Sequence, residues 1–118
     1  MHFNEAQRHN CFSHQLETIV KKFHQSEKSI KGYIKSIPAN PFQGVRVPGL
    51  GHSFHLRKQR IPLKEYKIGA RGGLRIIYLV DESNHLIYFI SIYCKNDYKK
   101  EAAIVEMIKN NLKSILQG

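Results

Sequence analysis

The sequence predicts an α+β chain with helices at both ends and strands between them, and three observations carry that expectation. Apolar residues recur at helical spacing before Pro38 and again after Tyr98. Between Phe54 and Cys94 the apolar residues are largely Val, Ile, Leu, Tyr and Phe, types that fit a pleated, half-buried surface. A segment rich in proline and glycine, PANPFQGVRVPGLGH, separates the two regimes.

Leu16, Ile19, Val20 and Phe23 fall at i, i+3, i+4 and i+7, one stripe of a helix beginning near Ser13. Ile30, Tyr33, Ile34 and Ile37 repeat the spacing. His24 to Lys28 is polar and offers Ser26 as an N-cap, so two short helices form an antiparallel hairpin. Pro38 ends the second helix, because its ring cannot continue the hydrogen-bond ladder. After the loop, SFHLRKQRIPL reads as a strand with Phe54, Leu56, Lys58 and Arg60 on one face, which changes along its length from apolar to cationic. KEYKIGARGG is a basic, glycine-rich connector.

Arg71 to Tyr98, RGGLRIIYLVDESNHLIYFISIYCKNDY, then reads as a strongly apolar β-hairpin with Arg75 opening its first strand and Lys95 closing its second. A three-residue turn of Glu82, Ser83 and Asn84, with Asn84 left-handed, sets Asp81 opposite His85 and Arg75 opposite Ser91. Arg75, Ile77, Leu79, Ile87, Phe89, Ser91, Tyr93 and Lys95 then share a face. A turn one residue longer or shorter would separate the two cations. Beyond Tyr98, Ile104, Ile108, Leu112 and Ile115 recur at helical spacing, Val105, Met107 and Leu116 widen the stripe, and Asp97 is the expected N-cap.

At 118 residues the expectation is one domain over 1–118, able to build a core without disulfides or metals. The net charge of +10, with seven histidines besides, points to a polyanionic partner, nucleic acid first; a basic surface serving only solubility is the plain alternative. Cys11 and Cys94 do not suggest a disulfide, since Cys94 falls inside an apolar strand. The N-terminus carries no signal-peptide core, and no run approaches the roughly 20 apolar residues of a membrane helix. A soluble, cytoplasmic protein is expected. His52 and His55, like His9 and His14, lack the spacing of a four-ligand zinc site, so neither metal nor cofactor is expected. Arg71-Gly72-Gly73 precedes a strand and lacks the helix N-terminus that completes a phosphate-cradling loop. Lys109 and Lys113 read as the solvated face of the last helix.

Taken in order, FSHQLETIVKKF, ANPFQG, LRKQRIP, ARGGLRIIYLVDE and ISIYCKNDYKKE resemble the RelE/ParE superfamily of toxins of type II toxin–antitoxin systems, and most of all the RelE and HigB type, over about residues 12 to 112. The resemblance implies a twisted antiparallel sheet with helices on one face and a basic concave site on the other. It implies an mRNA interferase, a ribosome-dependent endoribonuclease in which the ribose 2′-hydroxyl attacks the adjacent phosphate without a metal. Its partners would be mRNA on the ribosome and a cognate antitoxin.

By the same resemblance Lys58 and Arg60 stand at the family's Lys-x-Arg pair, Arg75 at the arginine after Gly-Gly-x, and Lys95 at the basic residue closing the last strand. Arg75 is the leading catalytic candidate, since a guanidinium can grip two phosphate oxygens and oppose charge growing on a phosphorane. Lys95 or Asp97 would take the 2′-hydroxyl proton, and Tyr98 would stack on a base or share a proton with the leaving oxygen. Many relatives carry lysine where Ala70 stands, leaving Arg71 as the nearest cation for RNA, and the C-terminal turn lacks histidine. A non-cleaving RNA or ribosome binder and a ParE-like gyrase inhibitor are therefore the competing readings. For Arg75 and Lys95 the plain alternative is a salt bridge with Asp97 or Glu101. Tyr78, Tyr88 and Tyr93 are expected in the core or on the sheet surface rather than at the site.

Overall fold

The structure is a computed structural model describing residues 2–6, 8, 10–48, 50, 54–95 and 99–116, with only the backbone of 99–100. Its elements run β1 (Asn4–Glu5), α1 (Asn10–Lys22), α2 (Glu27–Ala39), β2 (Val45–Val47), β3 (Phe54–Ile61), β4 (Leu74–Asp81), β5 (Leu86–Cys94) and α3 (Lys99–Leu116). Helices flank a strand-rich middle, as the sequence predicts. Among the described residues five strands form one sheet in the order β1-β5-β4-β3-β2, antiparallel except where β1 runs parallel to β5.

The apolar stripes become two cores, one on each side of that sheet. Phe12, Leu16 and Ile19 of α1 and Ile30, Ile34 and Ile37 of α2 pack against Ile76, Tyr78, Val80, Ile87, Phe89 and Ile92. Phe12 stacks on Phe89 with ring centroids 5.4 Å apart. Because Phe12 extends the stripe by a turn, α1 starts at Asn10 rather than near Ser13. On the opposite side, Ile108 and Ile115 of α3 close over Leu56, Ile77, Leu79, Tyr88 and Ile90. Met107, expected to widen that stripe, is exposed. The layout implied by the resemblance thus needs a correction: α3 lies on the same side of the sheet as the basic site.

Local details differ where side chains find partners more distant in sequence. Ser26 directly precedes α2 but makes no capping bond; its φ of −101° and ψ of 5° lie outside the extended region an N-cap favours, and its hydroxyl donates instead to Glu65 Oε1 at 2.6 Å. Pro38 sits inside the last turn of α2 rather than beyond it. The loop after α2 contains β2, paired with β3, and is tied to the sheet by the buried Tyr78 hydroxyl, which donates to the Pro41 carbonyl and accepts from the Gly44 amide.

The hairpin turn holds the most consequential difference. It spans four residues, with Asp81 opposite Leu86 and the left-handed residue at His85 (φ 53°) rather than Asn84. The Asp81 carboxylate accepts both the backbone N–H and the side-chain amide of Asn84, which rounds the turn. One extra turn residue alone would turn one strand's side chains to the wrong face. The ladder, however, steps from Tyr78 opposite Phe89 to Ile77 opposite Ser91, leaving Ile90 as a bulge. The two offsets together amount to two residues, so Arg75 faces Tyr93 rather than Ser91 but keeps its side of the sheet. Ile87 and Phe89, beyond the bulge, join the α1/α2 core instead of the face expected for them.

Among the described residues His55 is the buried histidine. Its ring stacks on Phe42 at 5.7 Å, its Nε2 lies 3.4 Å from Glu82 Oε1, and its Nδ1 has no hydrogen-bond partner among the described residues. Burial, more than the nearby Arg57 and Arg46, lowers its pKa from the usual 6.5, although Glu82 opposes the shift. The unfolded chain then binds a proton at this residue more readily than the folded one. Stability is therefore full above the ordinary histidine value and declines as pH falls from there toward the folded pKa. Urea-unfolding midpoints measured between pH 7.5 and 5 should decline, and a His55→Phe variant should show a shallower decline.

Candidate functional site

The cationic end of β3 begins with the strand's alternation. Phe54 and Leu56 join the α3-side core, and the next two residues of the same parity, Lys58 and Arg60, reach beyond it. Cross-strand pairing then sets Arg60 opposite Arg75, and Arg75 opposite Tyr93, a row running across three strands. Directly opposed like charges repel. Lys58, Arg60, Arg75, Tyr93, Lys95 and Glu101 together line a cavity of about 340 Å³ between the sheet and the first turn of α3. The four cations expected from the sequence at Lys58, Arg60, Arg75 and Lys95 thus converge.

Arg75 is held by backbone rather than by acid. It is buried, and its guanidinium donates from Nη1 to the Ala70 and Leu74 carbonyls (3.0 and 3.1 Å) and from Nη2 to the Arg71 carbonyl (3.0 Å). A guanidinium has five N–H groups, so Nε–H and one Nη2–H remain without a partner among the described residues. These donors leave the guanidinium able to meet the oxygens of a phosphate or carboxylate. Burial, and secondarily the charge of Arg60, lowers the Arg75 pKa from its usual value, a sign that this cation is desolvated and crowded by another.

The connector is shaped to permit that clamp. A Cβ on Gly73 would lie 1.9 Å from the Ile61 carbonyl oxygen, so only glycine lets the connector pass this close to β3. The Gly73 carbonyl accepts the Lys95 amide at 3.1 Å, continuing the β4–β5 ladder to the residue that closes the site.

Lys58 is not free: its Nζ donates to Glu101 Oε1 at 2.7 Å, with both side chains partly buried. Glu101 therefore pairs with the β3 cation and not with Arg75 or Lys95 as the plain alternative had it. Tyr93, expected away from the site, is part of its lining. Burial, more than the neighbouring Glu101 carboxylate, pushes its phenol up to about 12, against the opposing pull of Arg75, so the hydroxyl stays a hydrogen-bond donor near neutral pH. Its signal in the sequence is strand parity, which Tyr93 shares with Lys95. Arg71 departs from expectation in the other direction, for its side chain is exposed and outside the cavity lining while its carbonyl serves Arg75. Asp97 and Tyr98 lie outside the described residues, as do His9 and His52.

Among the described residues no group of three or more His, Cys, Asp or Glu stands where it could hold a metal, and no helix is long and apolar enough to cross a membrane. Cys11 and Cys94 are free thiols. The cavity's chemistry is that of an anion site with a clamped guanidinium, two lysines, a second arginine, a phenol and one carboxylate.

No family model matches the chain, and no curated protein does. Among solved structures the chain is similar to a chain of the archaeal RelE-RelB complex from Pyrococcus horikoshii OT3, at 18% identity and a TM-score of 0.48, over 80% of this chain and 97% of that one.

Proposed function

We propose that this protein is a cytoplasmic toxin of the RelE/HigB type, an endoribonuclease that cuts mRNA on the ribosome and is held in check by a cognate antitoxin. The observation that supports this reading is the convergence of Lys58, Arg60, Arg75 and Lys95 on one cavity with a phenol beside them. By the family resemblance of the sequence, Lys58 and Arg60 are also RNA-binding candidates, and Arg75 and Lys95 catalytic ones. In the proposed reaction the ribose 2′-oxygen attacks the adjacent phosphorus, the P–O5′ bond breaks, and no metal takes part. The guanidinium of Arg75 faces the charge that builds on the phosphorane, Arg60 and Lys58 hold flanking phosphates, and Lys95 stands among the candidates for proton transfer. Asp97 and Tyr98 remain candidates for proton transfer or base stacking. An antitoxin segment rich in acidic residues suits a chain of net charge +10 and would inhibit by covering the cavity.

Inducible expression followed by primer extension on translated messages tests the proposal. New 5′ ends within coding sequence are the expected result. Intact message under growth arrest would overturn it, and gyrase-dependent DNA breaks in the same cells would transfer the reading to a ParE-like toxin.

A further inference from the structure

We propose that Glu101 is the general base of this site, taking the proton from the attacking 2′-hydroxyl; the inference rests on the ribonuclease reading above and names the residue that reading leaves open. Its basis is the cavity lining. Of the six described lining residues, two are arginines and two are lysines, which in their charged forms donate hydrogen bonds and accept none. Tyr93 retains its proton near neutral pH because its environment opposes ionisation. Among the described lining residues Glu101 is the acidic side chain, and its carboxylate oxygens carry lone pairs able to receive a proton.

Its placement is set by the fold. Glu101 lies in the first turn of α3, and Ile104, Ile108, Leu112 and Ile115 fasten that helix to the sheet side bearing Leu56 and Ile77. Lys58, reaching from β3, grips one carboxylate oxygen at 2.7 Å and so fixes its direction as a positioning residue. The carboxylate side chain is 33% exposed, buried enough to be oriented and open enough to meet a ligand. Arg75 lies against the same cavity from β4, so a phosphate on its guanidinium would be within one small space of the base.

The step balances without any added reagent. The 2′-O–H proton passes to a Glu101 carboxylate oxygen while the 2′-oxygen's electron pair forms the new bond to phosphorus. The P–O5′ bond breaks with its electron pair on the 5′-oxygen, which takes a proton from the Lys95 ammonium. The products are a 2′,3′-cyclic phosphate and a free 5′-hydroxyl, and exchange with water restores both side chains.

Purified wild-type, Glu101→Gln and Glu101→Asp proteins, added to ribosomes translating a defined message, distinguish the outcomes under single-turnover conditions. Glutamine keeps a carbonyl oxygen for Lys58 but cannot serve as a base, so Glu101→Gln should cut roughly 10²–10⁴-fold more slowly while cosedimenting with ribosomes at least as well as wild type. Aspartate retains the carboxylate on a shorter stem and should recover part of the rate. Circular dichroism melts of all three establish that they are folded. A Glu101→Gln protein that cuts at the wild-type rate or faster would reduce Glu101 to a counter-ion for Lys58 and overturn the inference, leaving the ribonuclease reading intact. Should Glu101→Gln fail to fold, a folded Glu101→Asp protein with no residual cleavage above an Arg75→Ala control would equally count against it. Wild-type protein that cuts nothing would remove both.

Discussion

Replacing Arg75 with alanine should lower the single-turnover cleavage rate by roughly 10²–10³-fold, the effect of removing one preorganised donor group from an anionic transition state. The reason lies in how the side chain is held. Three backbone carbonyls fix the guanidinium plane before any ligand arrives, and its remaining N–H groups have no other partner among the described residues. Little reorganisation is then needed when charge develops. The same geometry predicts a second readout, because alanine also strips donors from the carbonyls of Ala70, Arg71 and Leu74. Hydrogen bonds to a charged group contribute about 1.5–3 kcal/mol each, and water can replace those lost at the connector's exposed side, so a total destabilisation of about 2 kcal/mol is expected from urea titration. Arg75→Lys separates the two effects: it keeps the charge but lacks the planar guanidinium, and it should stay well below wild-type activity. An Arg75→Ala protein that cuts at the wild-type rate would remove this residue from the chemistry.

The largest stability effect should come from Gly73→Ala. A methyl group there collides with a backbone carbonyl, which cannot rotate away as a flexible side chain would, and the separation of 1.9 Å leaves no room for local adjustment. Overpacking of this kind costs about 3 kcal/mol, the upper end of the usual range. Relief requires the connector to lift from β3. Such a shift would also pull the Arg75 carbonyl clamp out of register and part Arg60 from its cross-strand neighbour, so RNA cleavage should fall even at temperatures where the variant is folded. Gly72→Ala is the control, since its Cβ would meet a side-chain methyl of Ile68 at 3.0 Å rather than backbone. Equal unfolding midpoints for Gly73→Ala and wild type would refute the argument.

Much of this arrangement is legible in the chain because periodicity fixes faces. The stripes of α1, α2 and α3 follow from apolar residues at three- and four-residue intervals, and the cationic end of β3 from simple alternation after Leu56. Elements set by partners distant in sequence escape such a reading. β1 and β2 are two and three residues long, and their identity as strands comes from the edges of β5 and β3 that they pair with. Ile90 carries no mark that would separate a bulged isoleucine from a paired one. Arg75 stands out in the sequence, but its clamp consists of main-chain oxygens, which every residue has and no side-chain pattern reveals. Lys58 and Glu101 meet across 43 positions, a distance closed by α3 folding back over the sheet. Tyr93 reads as a core residue because it is aromatic and flanked by Ile92; burial and site membership coincide at this residue.

The compensated register of the β4–β5 hairpin has a consequence for how this chain can vary in length. The bulge at Ile90 reverses the sidedness of the strand segment beyond it, so Tyr93 and Lys95 share Arg75's side only while that extra residue is kept. Residues can be added to the exposed turn without moving this pairing. Loss of the bulge alone would instead swing Tyr93 and Lys95 under the helical hairpin, away from Arg75.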